Sequence, residues 1–175
     1  QPGGLQEQCL RWRGEGLQVG FVPTMGALHD GHLSLVQAAR DRCDKVVASI
    51  FVNPLQFGPS GDLDLYPREA ESDHALLAEL GVDALFLPTV EDLYPPDHQT
   101  RVRVSALSQD LCGARRAGHF EGVTTVVMAL FQIAQPHAAF FGKKDYQQWR
   151  VVERMARDLH LPVKVHGLPI IREPD

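Results

Sequence analysis

Residues 46–52 read Val-Val-Ala-Ser-Ile-Phe-Val, seven in a row without a charge and rich in β-branched side chains. A strand with one wet face alternates apolar and polar residues. An unbroken apolar run suits a strand covered on both faces, and so a parallel sheet with helices above and below it. Short apolar runs and helical patterns alternate along the rest of the chain. Residues 17–22 form a strand that ends in Pro-Thr-Met-Gly. Residues 31–43 carry Leu33, Val36, Ala39 and Cys43 at helical spacing. Residues 69–80 are a helical pattern closed by Gly81, a suitable C-cap. Residues 83–87 form an apolar strand, and 99–105 alternate as a more exposed one. Residues 122–134 form an apolar helix stopped by Pro136. Residues 138–141 form a strand. Residues 144–159 form an amphipathic helix with Trp149, Val152, Met155 and Leu159 inward, and 163–165 begin a last strand. The pattern predicts an α/β fold: a Rossmann-like parallel sheet with helices on both faces, in a single domain over residues 1–175.

Composition narrows the function classes. The apolar fraction of 44% is enough for a sizeable core, and the net charge of −5 is spread with both signs interleaved. No basic run follows a phosphate backbone, which argues against a nucleic-acid partner. No apolar stretch reaches membrane-spanning length and no signal-peptide pattern opens the chain, so no membrane partner is expected. Cys9, Cys43 and Cys112 are far apart and form no Cys-x-x-Cys pair. They read as reduced thiols in a cytoplasmic setting. The first residue, Gln1, is not methionine, and a trimmed chain is expected.

In parallel sheets of this kind ligands bind beyond the carboxyl ends of the strands. Polar clusters just after the apolar runs are therefore the candidates. The first is Pro23-Thr24-Met25-Gly26-Ala27-Leu28-His29-Asp30-Gly31-His32. It brings two imidazoles to a helix start, where free backbone N–H groups attract anions. Gly31 between them leaves room for a base or ribose. A polar turn with Asp30 as N-cap and two surface histidines is the plainer reading, but His-x-Gly-His between strand and helix favours function. A zinc pair has no further ligand cluster behind it, so no metal site is expected.

The second cluster, Asn53-Pro54-Leu55-Gln56, offers neutral amides for hydroxyls and carboxylates, although an Asn-Pro turn alone would explain it. The third, 115–122, combines Arg115, Arg116 and His119 in a glycine-bounded loop, either a solvated loop or an anion-gripping lid. The fourth, Gly142-Lys143-Lys144-Asp145, lies where a strand gives way to a helix, with Gln148 one turn on. It can set a cation on a phosphate and a carboxylate on ribose hydroxyls, or it is simply a charged first turn.

Taken together and in order, PTMGALHDGH, FVNPLQFG, DLDLYPR, GHFEGVTTVV and FFGKKDYQQ resemble the pantothenate synthetase family over nearly the whole chain. His-x-Gly-His alone marks only a wider superfamily of nucleotidyl-transferring α/β folds. The resemblance implies an ATP-dependent ligase. Pantoate would be activated as an acyl-adenylate and joined to β-alanine, with Mg2+ accompanying ATP. It implies catalytic roles for His29, His32 and Lys144, and ATP contacts from Met25, Gly26, His29, Gly31, His32, Gly142, Lys144 and Asp145. Gln56, Gln148, Asn53 and Tyr66 would hold pantoate, and Arg116 and His119 would belong to a flexible loop. A homodimer is also implied. Lys143 departs from the Glu or Gln common there in the family. The family continues beyond this point with a Met-Ser-Ser-Arg segment and a small C-terminal lid domain, so the chain is expected to be the N-terminal domain only, with weak or no turnover. The alternatives are another adenylyl- or cytidylyltransferase, a non-catalytic nucleotide-binding domain, or a scaffold domain. The last leaves four polar clusters at element junctions unexplained.

Overall fold

A computed structural model describes residues 1–57 and 70–172. Five strands form one parallel sheet: β1 (Val19–Thr24), β2 (Lys45–Ile50), β3 (Ala84–Phe86), β4 (Ala138–Gly142) and β5 (Lys164–Leu168). Their spatial order is β3-β2-β1-β4-β5. β1 therefore pairs with β2 on one side (Phe21 opposite Val47) and with β4 on the other (Phe21 opposite Ala139). This is the doubly wound arrangement the alternation of patterns predicted.

The apolar runs supply two cores at once, because successive side chains on a strand point to opposite faces. Val19, Phe21, Val47, Ala139 and Phe141 enter one cluster. Val22, Val46, Ala48, Ala138 and Phe140 enter the other. The first face is covered by α1 (Pro2–Gly14), α6 (His119–Ala134) and α7 (Tyr146–Asp158), and the second by α2 (Asp30–Arg40) and α3 (Ala70–Glu79). Two single-turn helices, α4 (Val90–Leu93) and α5 (Cys112–Arg115), lie in the connection between β3 and α6.

Four local readings are corrected. Residues 99–105 form no strand. Val102 packs on the core, but its N–H donates to Thr125 Oγ1 and its carbonyl accepts from Thr124 Oγ1. Two threonines of α6 thus meet the backbone groups a neighbouring strand would have met. α7 buries Val151, Val152, Met155 and Ala156, while Leu159 lies past its end and is 47% exposed. α2 buries Leu35 with Val36 and Ala39, whereas Leu33 is only half-buried. α1 has no counterpart in the sequence reading; it is weakly amphipathic and docks through Cys9, Leu5 and Trp12.

Candidate active site

The strand order reverses between β1 and β4. The loops leaving these two strands diverge and open a crevice at the carboxyl edge. A cleft of about 300 Å³ lies there. The exit of β1 contributes Met25, His29, Gly31 and His32 to its wall. The exit of β4 contributes Gly142, Lys144 and Asp145, and the first turn of α7 adds Gln148. Asn53 and Gln56 enter from the 3-10 turn Pro54–Gln56 after β2. Val123, Val126, Val127 and Leu130 of α6 form an apolar floor. Three of the four sequence clusters thus meet around one crevice. Gly26 is buried and lies outside the lining, with φ +87 in the turn behind it. Tyr66 lies outside the described residues.

The histidine pair is held by the start of α2. The N-cap is His29, not Asp30, because the His29 ring folds back and Nδ1 accepts the Gly31 N–H at 3.1 Å. His32 Nδ1 faces the His29 N–H at 3.4 Å in return. A Cβ on Gly31 would come within 2.8 Å of His29 Cε1, so glycine makes room for the ring that caps the helix as well as for a ligand. With both Nδ1 atoms taken as acceptors, both Nε2 atoms carry the proton. Two N–H donors with ring centroids 4.2 Å apart therefore stand at a helix N-terminus, where an anion is stabilised.

Burial, reinforced by His29 and opposed by Asp73 and Asp145, takes the His32 pKa down to about 4. His32 is thus a neutral donor at pH 7. An NMR titration should find it titrating near 4 rather than near the ordinary value of 6.5. The unfolded chain binds the proton first, so this contribution to stability is complete above about 6.5 and is lost as pH falls towards 4. A midpoint near 6.5 in the folded chain would contradict the burial.

The turn before the pair is strained. Ala27 has φ 52, the left-handed region, directly after Gly26. It is held by Asp73 on α3, which is 1% exposed and accepts from Ala27 N–H at 2.9 Å and Leu28 N–H at 2.8 Å. The sequence reading missed Asp73, since an acid in a helix's first turn looks like an ordinary complement to the helix dipole. Asp73→Asn offers one acceptor and turns an NH2 on the other N–H. It is expected to cost about 1–3 kcal/mol, read as a lower urea midpoint at unchanged slope. An unchanged midpoint would mean that the turn holds itself.

Asn53 is buried and held by four hydrogen bonds. Its Nδ2 donates to Gln56 Oε1 at 3.1 Å and to Gly122 O at 3.0 Å. Its Oδ1 accepts from Leu55 N–H at 3.3 Å and from Tyr94 Oη at 2.9 Å. Both donors and both lone pairs are engaged within the protein, so Asn53 braces the Pro54–Gln56 turn against α6 and Tyr94 while standing in the cleft wall. Gln56 Nε2 points to Met25 Sδ at 3.1 Å.

His119 opens α6 and is buried rather than lying in a loop. Its Nδ1 donates to the Gln56 carbonyl at 2.9 Å, and burial lowers its pKa. Exposed Arg116 approaches its other ring nitrogen at 3.5 Å. α6 can come this close because position 122 is glycine: a Cβ there would fall on the Leu55 carbonyl and within 2.6 Å of Gln56 N.

A doubly wound parallel sheet with polar loop-to-helix junctions facing each other across its switch point defines a class: α/β domains that take their ligand at the carboxyl edge of the sheet. The chain belongs to the pantoate–β-alanine ligase family, which matches it over residues 1–175. It is 56% identical over 171 residues to a pantothenate synthetase of Syntrophotalea carbinolica, covering 98% of this chain and 60% of that protein. A pantothenate synthetase of Thermotoga petrophila is 58% identical over 157 residues, covering 90% and 56%. Among solved structures, pantothenate synthetase from Thermus thermophilus superposes with a TM-score of 0.88 at 58% identity, covering 89% of this chain and 57% of that one. The Francisella tularensis pantoate–β-alanine ligase, complexed with β-γ ATP and β-alanine, superposes at 0.89 with 40% identity, covering 97% and 66%. The chain thus spans about three fifths of the length of the curated relatives it matches.

Proposed function

We propose that this chain is the nucleotide- and pantoate-binding domain of an ATP-dependent ligase that joins pantoate to β-alanine through a pantoyl-adenylate. The observation that carries this reading is the pair of Nε2–H donors at the α2 N-terminus, facing Lys144 and Asp145 across the switch point, above an apolar floor. Membership of the family supports it, as do the ATP and β-alanine ligands named for the Francisella relative.

In the first step a pantoate carboxylate oxygen attacks the α-phosphorus of ATP, and pyrophosphate leaves. His29, His32 and Lys144 donate to the phosphate oxygens as charge shifts towards the leaving group. Asp145 accepts from the ribose hydroxyls, while Met25, Gly31 and Gly142 give the nucleotide its wall. Gln56 and Gln148 hold pantoate, whose dimethyl carbon suits the floor formed by α6. Tyr66 is assigned to pantoate from the sequence correspondence alone. In the second step the β-alanine amine attacks the acyl carbon, a proton leaves the nitrogen, and AMP departs with the bridging oxygen. No side chain becomes covalently attached, so catalysis rests on placement and charge. Among the described residues no three His, Cys, Asp or Glu side chains are grouped to hold a metal. Magnesium would accompany ATP on the triphosphate oxygens, as the family resemblance implies. A homodimer is carried over from the family resemblance, and a cytoplasmic setting from the three separated cysteines.

Pantoate labelled with 18O in its carboxylate tests the route. One labelled oxygen should appear in AMP. Label in a released phosphate, or in no nucleotide product, would contradict the adenylate. Gln148→Ala should raise KM for pantoate and spare that for ATP; a defect confined to ATP would remove Gln148 from the acid pocket.

A further inference from the structure

Tyr94 closes the short helix α4 and belongs to none of the sequence clusters. Its ring packs beside Phe51, with centroids 6.1 Å apart, and its hydroxyl reaches Asn53 Oδ1 at 2.9 Å. The direction of every hydrogen bond from this point to the cleft can be deduced. Leu55 N–H is a donor only, and it meets Asn53 Oδ1; the Gly122 carbonyl is an acceptor only, and it meets Asn53 Nδ2. These two backbone groups fix which way the Asn53 amide lies. Facing an oxygen, the Tyr94 hydroxyl must donate, and burial pushes its pKa up, so it keeps its proton. The second Asn53 N–H then faces Gln56, which must present Oε1 to it. The opposite amide orientation of Gln56 would set two NH2 groups against each other. Gln56 Nε2 is thereby turned to Met25 Sδ and the cleft, while the Gln56 carbonyl is held from behind by His119. A thioether is a weak acceptor, so this N–H stays available for a stronger one.

We propose that Tyr94 is a positioning residue that acts through Asn53 to fix Gln56 as a hydrogen-bond donor to the acid substrate, selecting a ligand with a carboxylate or hydroxyl oxygen at that point. Tyr94 itself touches no substrate. The effect on substrate rests on the function proposed above; the orientation of Gln56 does not.

Tyr94→Phe keeps the ring and removes only the hydroxyl, and two readouts test it. In the ligand-free chain, 15N spectra should show the side-chain NH2 signals of Asn53 and Gln56 moving, while those of Gln132 and Gln135 at the far end of α6 stay in place. In pyrophosphate exchange, KM for pantoate should rise ~10-fold, with KM for ATP altered less than about twofold. A purely structural role would lower the melting temperature or shift both KM values alike, and either pattern would overturn the proposal. So would unmoved Gln56 signals. If neither the parent chain nor the chain joined to the C-terminal part of a relative shows pantoate-dependent exchange, the proposed function fails on that arm, and the NH2 signals alone decide the role of Tyr94.

Discussion

Replacing His32 by alanine should cut adenylate formation by ~10²–10³-fold, the usual loss when one preorganised donor to developing charge is removed. The fold should hardly notice. His32 is only half-buried, and its link to the rest of α2 is one long bond from His29 N–H at 3.4 Å. The helix keeps its cap, because His29 Nδ1 accepts from Gly31 independently of position 32. The effect should therefore fall on rate, with a melting temperature near that of the parent. Pantoate-dependent pyrophosphate exchange and a thermal melt on the same sample separate the two. A large fall in melting temperature with exchange retained would assign His32 to the fold and not to the chemistry.

Gly122→Ala should have a large effect on stability. The new methyl group would overlap the Leu55 carbonyl and approach Gln56 N within 2.6 Å, against main chain that cannot rotate away. α6 and the Pro54–Gln56 turn would have to part. The expected cost is about 2–3 kcal/mol, the upper part of what overpacking costs. For a domain of this size that means a melting temperature lower by about 5–10 °C. The same displacement would break the bond from Asn53 to the Gly122 carbonyl and move Gln56. Pantoate binding should weaken alongside stability. A melt unchanged by the methyl group would show that helix and turn are not in hard contact.

Much of this architecture is legible in the residues. Runs such as 46–52 and 138–141 announce strands buried on both faces, because a parallel strand has no wet side to mark with polar residues. The clusters at the ends of the apolar runs could be located because the carboxyl edge of such a sheet is where loops meet. His29, His32, Gln56, Lys144, Asp145 and Gln148 do line one cleft. What could not be read depends on partners distant in sequence. Val102 looks like a strand residue until Thr124 and Thr125 satisfy its backbone. Asp73 looks like a helix-start acid until the Ala27–Leu28 turn is folded onto it. Asn53 reads as an isolated amide in an Asn-Pro turn, and its four bonds to Leu55, Gln56, Tyr94 and Gly122 show only in the fold. Tyr94 carries no local signal at all, because its role exists only through Asn53. Period and composition report how much of an element is buried; they do not report which polar atom across the fold meets which.

Exchange of labelled pyrophosphate into ATP, measured with magnesium and with or without pantoate, asks most directly whether this domain forms an adenylate. The chain is assayed alone and joined to the C-terminal part of a relative. Exchange that requires pantoate, in either form, is the expected result and establishes both the adenylate and the acid. No exchange in either form, with both folded, would contradict the reading and leave a nucleotide-binding domain with a different acid or none.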